Sequence, residues 1–398
     1  MVRNVNEGLN EMANDVHLAK SISSFMMRLA DFIANGWFAT AKSPATANTG
    51  VKRISAIDTT RGILFVLMTS THALTLANVA DVSIFRSAYW LPGGWATTSF
   101  IMLSGYTIAF AYPWQNRDYR SIRKRLYRRA KEILLVMFFS NIVMLSMSYA
   151  MAGNLSVLAQ SNWWVGLFTL QTEYSISAIL LPTAVLLFIA ADLALICEKI
   201  KIIPFAAIAL VMVIMVTIIS RDKLLPMSHL TDIMLYGGVG GFSIFPLLAL
   251  GVFGLSLGFS TRVLMSTFSN TKVYAILCIM LILMILVEPL TGIKNMGVIC
   301  ISRFTLLFLA GACLSAVKAG HRALAFLPLI GKYALFSFII HRIVLQGFHL
   351  LYKILLIALP VEILYPALAI PTLLTITIFC KMRSQVPALD AGLRKCYL

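Results

Sequence analysis

Residues 53–72 read R-I-S-A-I-D-T-T-R-G-I-L-F-V-L-M-T-S-T-H, and residues 100–106 read F-I-M-L-S-G-Y. The first stretch has the apolar run of a membrane-spanning helix, yet it holds Asp58, Arg61 and His72. An ionisable side chain in hydrocarbon costs about 3 kcal/mol or more, so such groups persist where they pair or do chemistry. On an α-helix, the eleven-residue step from Arg61 to His72 returns to within about 20° of the same face and climbs about 16 Å. The two therefore share one stripe, with a cation near one end and an imidazole about three turns further on. Asp58 precedes Arg61 by one turn, a spacing at which the two can pair and hold the guanidinium in place.

The rest of the composition fits this reading. Of 398 residues, 59% are hydrophobic and 12% charged, about half the charged fraction of soluble domains. The expected fold is all-α, a polytopic transmembrane helical bundle. The formal net charge of +17 would point to nucleic acid in a soluble protein. In a membrane protein, basic residues collect on cytoplasmic loops, and no nucleic-acid partner is expected. The cysteines (Cys197, Cys278, Cys300, Cys313, Cys380 and Cys396) form no C-x-x-C pair, so neither a disulfide framework nor a metal site is expected. The start, M-V-R-N-V-N-E-G, is polar, and no secretory signal is expected. Residues 17–40 are amphipathic and suit either a helix lying on the cytoplasmic interface or a partly ordered tail.

A span needs about 20 mainly apolar residues. About ten such runs are present, near 56–78, 92–113, 132–151, 176–197, 202–220, 240–259, 273–290, 298–317, 328–351 and 357–380. The apolar lead-in at 162–174 reads as a short extra helix or as part of a longer helix bent at Pro182. Between the second and third runs lie Arg117, Arg120, Arg123, Lys124, Arg125, Arg128, Arg129 and Lys131, which the positive-inside rule places in the cytoplasm. Counting outward, the cation-rich segments alternate with cation-poor ones, so both termini are expected in the cytoplasm. The expected organisation is a cytoplasmic N-terminal segment at 1–50, a transmembrane domain at 51–384 and a cytoplasmic tail at 385–398. Arg61 then lies near the cytoplasmic surface, His72 in the outer half of its span, and Ser104, Gly105 and Tyr106 near mid-membrane.

Several groups are candidates for chemistry. The cations at 117–131 follow helical spacing. They serve as a topology determinant at the phospholipid headgroups, or as a cradle for a polyanionic ligand whose phosphates arginine grips bidentately. His72 is flanked by Thr69, Ser70, Thr71 and Thr75, which suggests a wet cavity where a neutral imidazole accepts a proton from an alcohol. His341, Arg342 and Arg303 are further polar residues at membrane depth, with Glu173, Asp192 and Glu288 as the carboxylates near them in depth. The run Gly237-Gly238-Val239-Gly240-Gly241 lacks the Lys-Ser/Thr of a phosphate loop. The small residues Gly251, Gly254 and Gly258 instead suit close helix–helix approach.

At these residues the chain resembles the membrane acyltransferase superfamily, which includes the acyltransferase-3 family, the OpgC-type glucan succinyltransferases and the catalytic domain of heparan-α-glucosaminide N-acetyltransferase. Arg61 and His72 match its R-x10-H pattern within I-D-x-x-R-G. Residues 100–106 resemble F-F-x-x-S-G-F/Y, residues 123–129 resemble its Arg-rich R-x-x-R run, and residues 329–341 (L-I-G-K-Y-A-L-F-S-F-I-I-H) resemble its late G-x-x-S-x-x-x-Y-x-x-H segment. In that segment Ala334 and Phe338 stand where Ser and Tyr are usual.

The resemblance implies an O-acyltransferase of the bacterial inner membrane. The donor would be cytoplasmic acyl-CoA (acetyl-CoA or succinyl-CoA) and the acceptor a hydroxyl of a glycan or lipid-linked sugar on the outer face; no metal is expected. It implies donor binding at Arg61, Arg123, Arg125, Arg128 and Arg129, with Gly105 beside the donor. It makes His72 a general base or transient acyl carrier, Asp58 the holder of Arg61, and Ser104, Tyr106 and His341 with Arg342 candidate oxyanion donors. A secondary transporter is the competing class, since many spans, buried charges and Gly-broken helices serve there too. No inverted repeat relates the two halves, and the R-x10-H face has no counterpart in the second half.

Overall fold

A computed structural model describes residues 24, 55–77, 95–112, 114, 119–151, 153–168, 179–236, 243–267, 296–316, 324–355 and 360–395. The described residues are almost wholly helical and contain no strand. In chain order the helices are α1 (Ser55–Leu76), α2 (Trp95–Ala111), α3 (Tyr119–Met151), the short α4 (Ser161–Phe168), α5 (Leu180–Ile200), α6 (Ile202–Asp222), α7 (Ile244–Thr267), α8 (Met296–Ala316), the short α9 (Phe326–Lys332), α10 (Ala334–Ile354), α11 (Val361–Gln385) and α12 (Pro387–Lys395).

Seven of them, namely α3, α5, α6, α7, α8, α10 and α11, are long and apolar enough to cross a membrane. Exposed apolar side chains on α3 (Phe139), α6 (Ile203, Ile208, Val211) and α11 (Ile370, Leu374, Ile378) form the outward surface expected of such helices. The protein is an integral membrane protein with a helical-bundle fold. α1 and α2 occupy the first two expected spans, but polar residues lower the hydropathy of α1, and α2 has only 17 residues. The expected span at 273–290, the run 237–241 and, apart from Ser24, the segment 17–40 lie outside the described residues.

Several boundaries differ from expectation for local reasons. The basic segment from Arg120 onward is continuous with the third span: α3 begins at Tyr119 and runs for 33 residues, so the cations from Arg120 to Lys131 occupy the first turns of one long helix, and Arg117 lies outside the described residues. The described part of the lead-in before α5, 162–168, lies in the short helix α4, and 169–174 lie outside the described residues. Pro182 falls in the first turn of α5, where its missing N–H leaves no intrahelical bond unmade; it starts the helix and does not bend it. The ninth expected span is broken at Tyr333 (φ −110°, ψ 36°), which separates α9 from α10.

The bundle is arranged around α1, which packs against α2, α8, α9, α10 and α11. Three glycines let backbone or short side chains close on it. A Cβ at Gly62 of α1 would strike the carbonyl of Leu327, one at Gly331 of α9 the carbonyl of Asp58, and one at Gly311 of α8 the hydroxyl of Thr60. Between helices in hydrocarbon, association rests on such close contact rather than on water exclusion. The α2–α7 seam uses the same device as expected: Gly251 sits over Gly105, Gly254 over the backbone of Met102, and Gly258 over Tyr106 and Ala109.

These contacts fix relative directions. α7 and α8 run parallel to α2, since Gly254 and Gly258 meet Met102 and Tyr106, while Arg303 and Phe308 meet Trp95 and Tyr106. α10 runs parallel to α1. Gly331 meets Asp58, His341 meets His72, and Leu345 packs with Ala73 and Ala77.

A side chain at Gly331 would meet the Asp58 carbonyl and the Arg61 Cβ, neither of which can swing aside. Gly331→Val is expected to cost at least the 1–3 kcal/mol typical of overpacking, about, and to lower the unfolding temperature in detergent. Gly347→Ala, where an added Cβ meets nothing within 4 Å, should leave it unchanged. Equal melting of the two variants would contradict this packing.

Candidate functional site

The close approach of α9 leaves the Asp58–Arg61 turn of α1 sealed on one side and open to α2 on the other. Asp58 is buried. Arg61 donates through Nη1 to Asp58 Oδ1 at 3.4 Å and through Nη2 to Thr107 Oγ1 at 3.2 Å. Thr107 gives its own proton to the Leu103 carbonyl at 2.6 Å, which leaves its oxygen free to accept from the guanidinium. The arginine is thus held by α1 and α2 together.

Arg61 faces a cavity of about 310 Å³. Its polar lining includes Arg61, Ser104, Thr107, Arg129 and Lys332; its apolar walls include Phe100, Ile133, Leu180, Leu187, Leu335 and Phe338. No carboxylate is among the described residues that line it. Ala334 and Phe338, the two departures from the family pattern, both face this space and make that wall less polar than Ser and Tyr would.

Next to Phe338 lies a pair of imidazoles. His341 is buried, and its ring stacks on His72 with centroids 5.5 Å apart and planes at 23°. Phe65 meets the His341 ring edge-on at 5.3 Å and Phe338 at 5.9 Å. His341 Nδ1 lies 3.3 Å from the Ser337 carbonyl, so one ring nitrogen is committed to its own helix. Nε2 is buried and has no hydrogen-bond partner among the described residues, and the same holds for Thr69 Oγ1, a turn below His72. Buried polar atoms left open in this way are uncommon and mark places where water or a ligand is received. Phe338 thus lines the cavity and touches His341 of the histidine pair. Arg342 follows His341 directly in α10.

The structure distributes the other expected residues unevenly. Successive helical residues point about 100° apart, and the S-G-Y triplet shows the consequence. Ser104 lines the cavity and donates to the Phe100 carbonyl at 2.8 Å. Gly105 is pressed on Gly251 of α7. Tyr106 is buried on Phe308 at 5.0 Å and Phe110 at 5.8 Å, away from the cavity. Of the four α3 arginines expected at the donor, Arg129 lines the cavity and pairs with Glu132 at 3.0 Å. Arg128 pairs with the same carboxylate at 3.0 Å, and Arg123 bridges to Asp192 of α5 at 3.0 Å. These two line a separate, open groove with Arg120, Lys124 and Lys131. Arg125 is exposed and lines neither space. Arg303 lies 4.9 Å over the ring of Trp95; Glu173 and Glu288 fall outside the described residues.

Thr107, Lys332 and Phe338 join the site without having been expected there. Thr107 was findable, because it follows Ser104 by three residues and so shares its face. Lys332 stood out only as a lone cation in L-I-G-K-Y. Among the described residues no group of three or more His, Cys, Asp or Glu is placed to hold a metal ion.

Removing one member of a buried ion pair strands the other. Asp58→Ala is therefore expected to destabilise the protein by about 2 kcal/mol or more, and Arg61→Met in the same chain should recover part of that loss. A thermal-unfolding cycle over the two single variants and the double variant checks this; strictly additive losses would contradict the pairing.

No curated protein and no solved structure matches the chain significantly. The family model described as an acyltransferase domain matches residues 54–381, which takes in α1 to α10 and nearly all of α11, with the Arg61 cavity and the histidine pair. With the match extending over most of the chain, the protein belongs to the acyltransferase-3 family and is a membrane acyltransferase.

Proposed function

We propose that the protein transfers an acetyl or succinyl group from cytoplasmic acyl-CoA to a hydroxyl of a glycan or lipid-linked sugar on the outer face of a bacterial inner membrane. One observation carries the reading. A cavity with cations at Arg61, Arg129 and Lys332 is walled by apolar side chains that include Phe338, whose ring lies 5.9 Å from that of His341, and His341 stacks on His72. That gradient suits a donor with phosphates at one end and a thioester on a thin arm at the other. Arginine binds phosphate through a planar fork, and an apolar wall suits the uncharged arm.

In this mechanism Arg61, fixed by Asp58 and Thr107, and Arg129 hold the phosphates. The arm passes Phe338 and brings the thioester carbonyl to His72. His72 takes the proton of the acceptor hydroxyl as its oxygen attacks that carbonyl. The tetrahedral oxyanion needs donors placed in advance; Arg342 is one candidate, and Ser104 becomes another when its hydroxyl turns from the Phe100 carbonyl. Collapse breaks the carbon–sulfur bond, and the proton held by His72 returns to the departing thiolate. His341, stacked on His72, keeps the imidazole upright, and its free Nε2 offers a relay for that proton. The alternative step, attack by His72 to form an acyl-imidazole that the hydroxyl then takes, uses the same arrangement. Gly105 and Tyr106 act here by packing α2 against α7 and α8.

His72→Ala is expected to lower acyl transfer by at least about 100-fold, the usual scale for a general base, with membrane insertion and melting unchanged. Mass spectrometry of surface glycans with wild type, variant and deletion reads the loss and weighs the missing group as acetyl or succinyl. Full modification by the variant would overturn the mechanism.

A further inference from the structure

We infer that Lys332 is a third cation of the donor's phosphate subsite, positioned by a clamp from the C-terminal helices made of Tyr333, Arg383 and Asp390. The inference rests on the proposed acyl-CoA donor and goes beyond it by tying donor affinity to α11 and α12.

Lys332 is the last residue of α9 and lines the Arg61 cavity. It is fixed from both neighbours. Gly331 before it is wedged against the Asp58 carbonyl and the Arg61 Cβ. Tyr333 after it leaves the helical conformation, which turns its ring toward α11. There the Arg383 guanidinium lies 4.5 Å over the Tyr333 ring and 5.4 Å over that of Phe336. The Lys332 ammonium stands 5.1 Å from the same Tyr333 ring. One aromatic side chain thus serves two cations, an attraction that strengthens where water is excluded.

Arg383 is 4% exposed, so its charge needs a partner. It donates through Nε to Asp390 Oδ1 of α12 at 2.8 Å. α12 is docked by this bond and by Leu393, which packs against the core. The chain of contacts therefore runs from α12 through a buried ion pair and an aromatic ring to the backbone that presents Lys332.

The charge pattern identifies the ligand class. Among the described residues Arg61, Arg129 and Lys332 line the cavity, and no carboxylate does. Asp58 and Glu132 balance two of these cations from outside the space. A polyphosphate group is the ligand chemistry that such a lining accepts, and a phosphate held by three cations gains charge-assisted hydrogen bonds from each.

The test is titration of CoA, and of pantetheine (which lacks the phosphates), into purified protein in lipid nanodiscs, alongside donor kinetics. Wild type should prefer CoA to pantetheine. Lys332→Met should weaken CoA binding about tenfold, the scale of one charge-assisted contact, leave pantetheine binding unchanged, and raise KM for the donor more than it lowers kcat. Lys332→Arg should restore most of the affinity. Asp390→Asn should weaken CoA binding less, and should add nothing in the Lys332→Met background, because both act through one group. Equal CoA binding by wild type and Lys332→Met overturns the inference alone. An additive Asp390→Asn effect overturns the clamp. Absence of CoA binding by wild type overturns the proposed donor and this subsite with it.

Discussion

The structure depends on how closely other helices approach one polar turn of α1. Asp58 and Arg61 bring charge into a span, and their neighbours Thr60 and Gly62 are where α8 and α9 make contact. The carbonyls of Asp58 and Leu327 leave no room for a Cβ at Gly331 and Gly62. That approach buries Asp58, and Arg61 reaches across to Thr107 of α2 and faces the cavity. A charge in hydrocarbon is tolerated when it is paired or faces a cavity; Arg61 does both. The glycines are thus part of the site, although none of them carries a functional group.

The parallel course of α1 and α10 carries the geometry to the far end. α10 starts only after the break at Tyr333, and since both helices rise at about 1.5 Å per residue they stay level from His72 and His341 to Ala77 and Leu345. At the first of these levels His341 stacks on His72. Sharing that level, α10 supplies both the ring on His72 and, one turn earlier, the ring of Phe338 that lines the cavity and touches His341. The break at Tyr333 starts α10 afresh and frees a ring for Arg383. A continuous helix there would not give the cavity its lysine in the same place.

Much of this was legible in the sequence. Eleven-residue spacing put Arg61 and His72 on one face, and i, i+3 spacing paired Asp58 with Arg61, because helix geometry is local. The small-residue spacing of Gly251, Gly254 and Gly258 correctly announced a helix–helix seam. Direction within a motif was not legible: S-G-Y reads as one unit, yet Ser104, Gly105 and Tyr106 face three different neighbours. Loop charge likewise did not separate Arg129, which reaches the cavity, from Arg125, which does not. That difference is a rotation about the axis of α3, and it is set by packing against α5. The contacts of Gly331, Phe338, Lys332 and Arg383 join segments more than two hundred residues apart, or meet across a non-helical residue, and no periodic signal reports them.

The central claim is spatial: one ligand reaches from the Arg61 cavity past Phe338 to the histidine pair. A structure of the protein in lipid with a non-reactive thioether analogue of acyl-CoA tests it most directly. The account predicts phosphate density against Arg61, Arg129 and Lys332, a displaced Phe338 ring, and the acyl end beside His72. Phosphates resting only in the outer groove of Arg120, Arg123 and Lys124, with Phe338 unmoved and the acyl end outside the bundle, would contradict it.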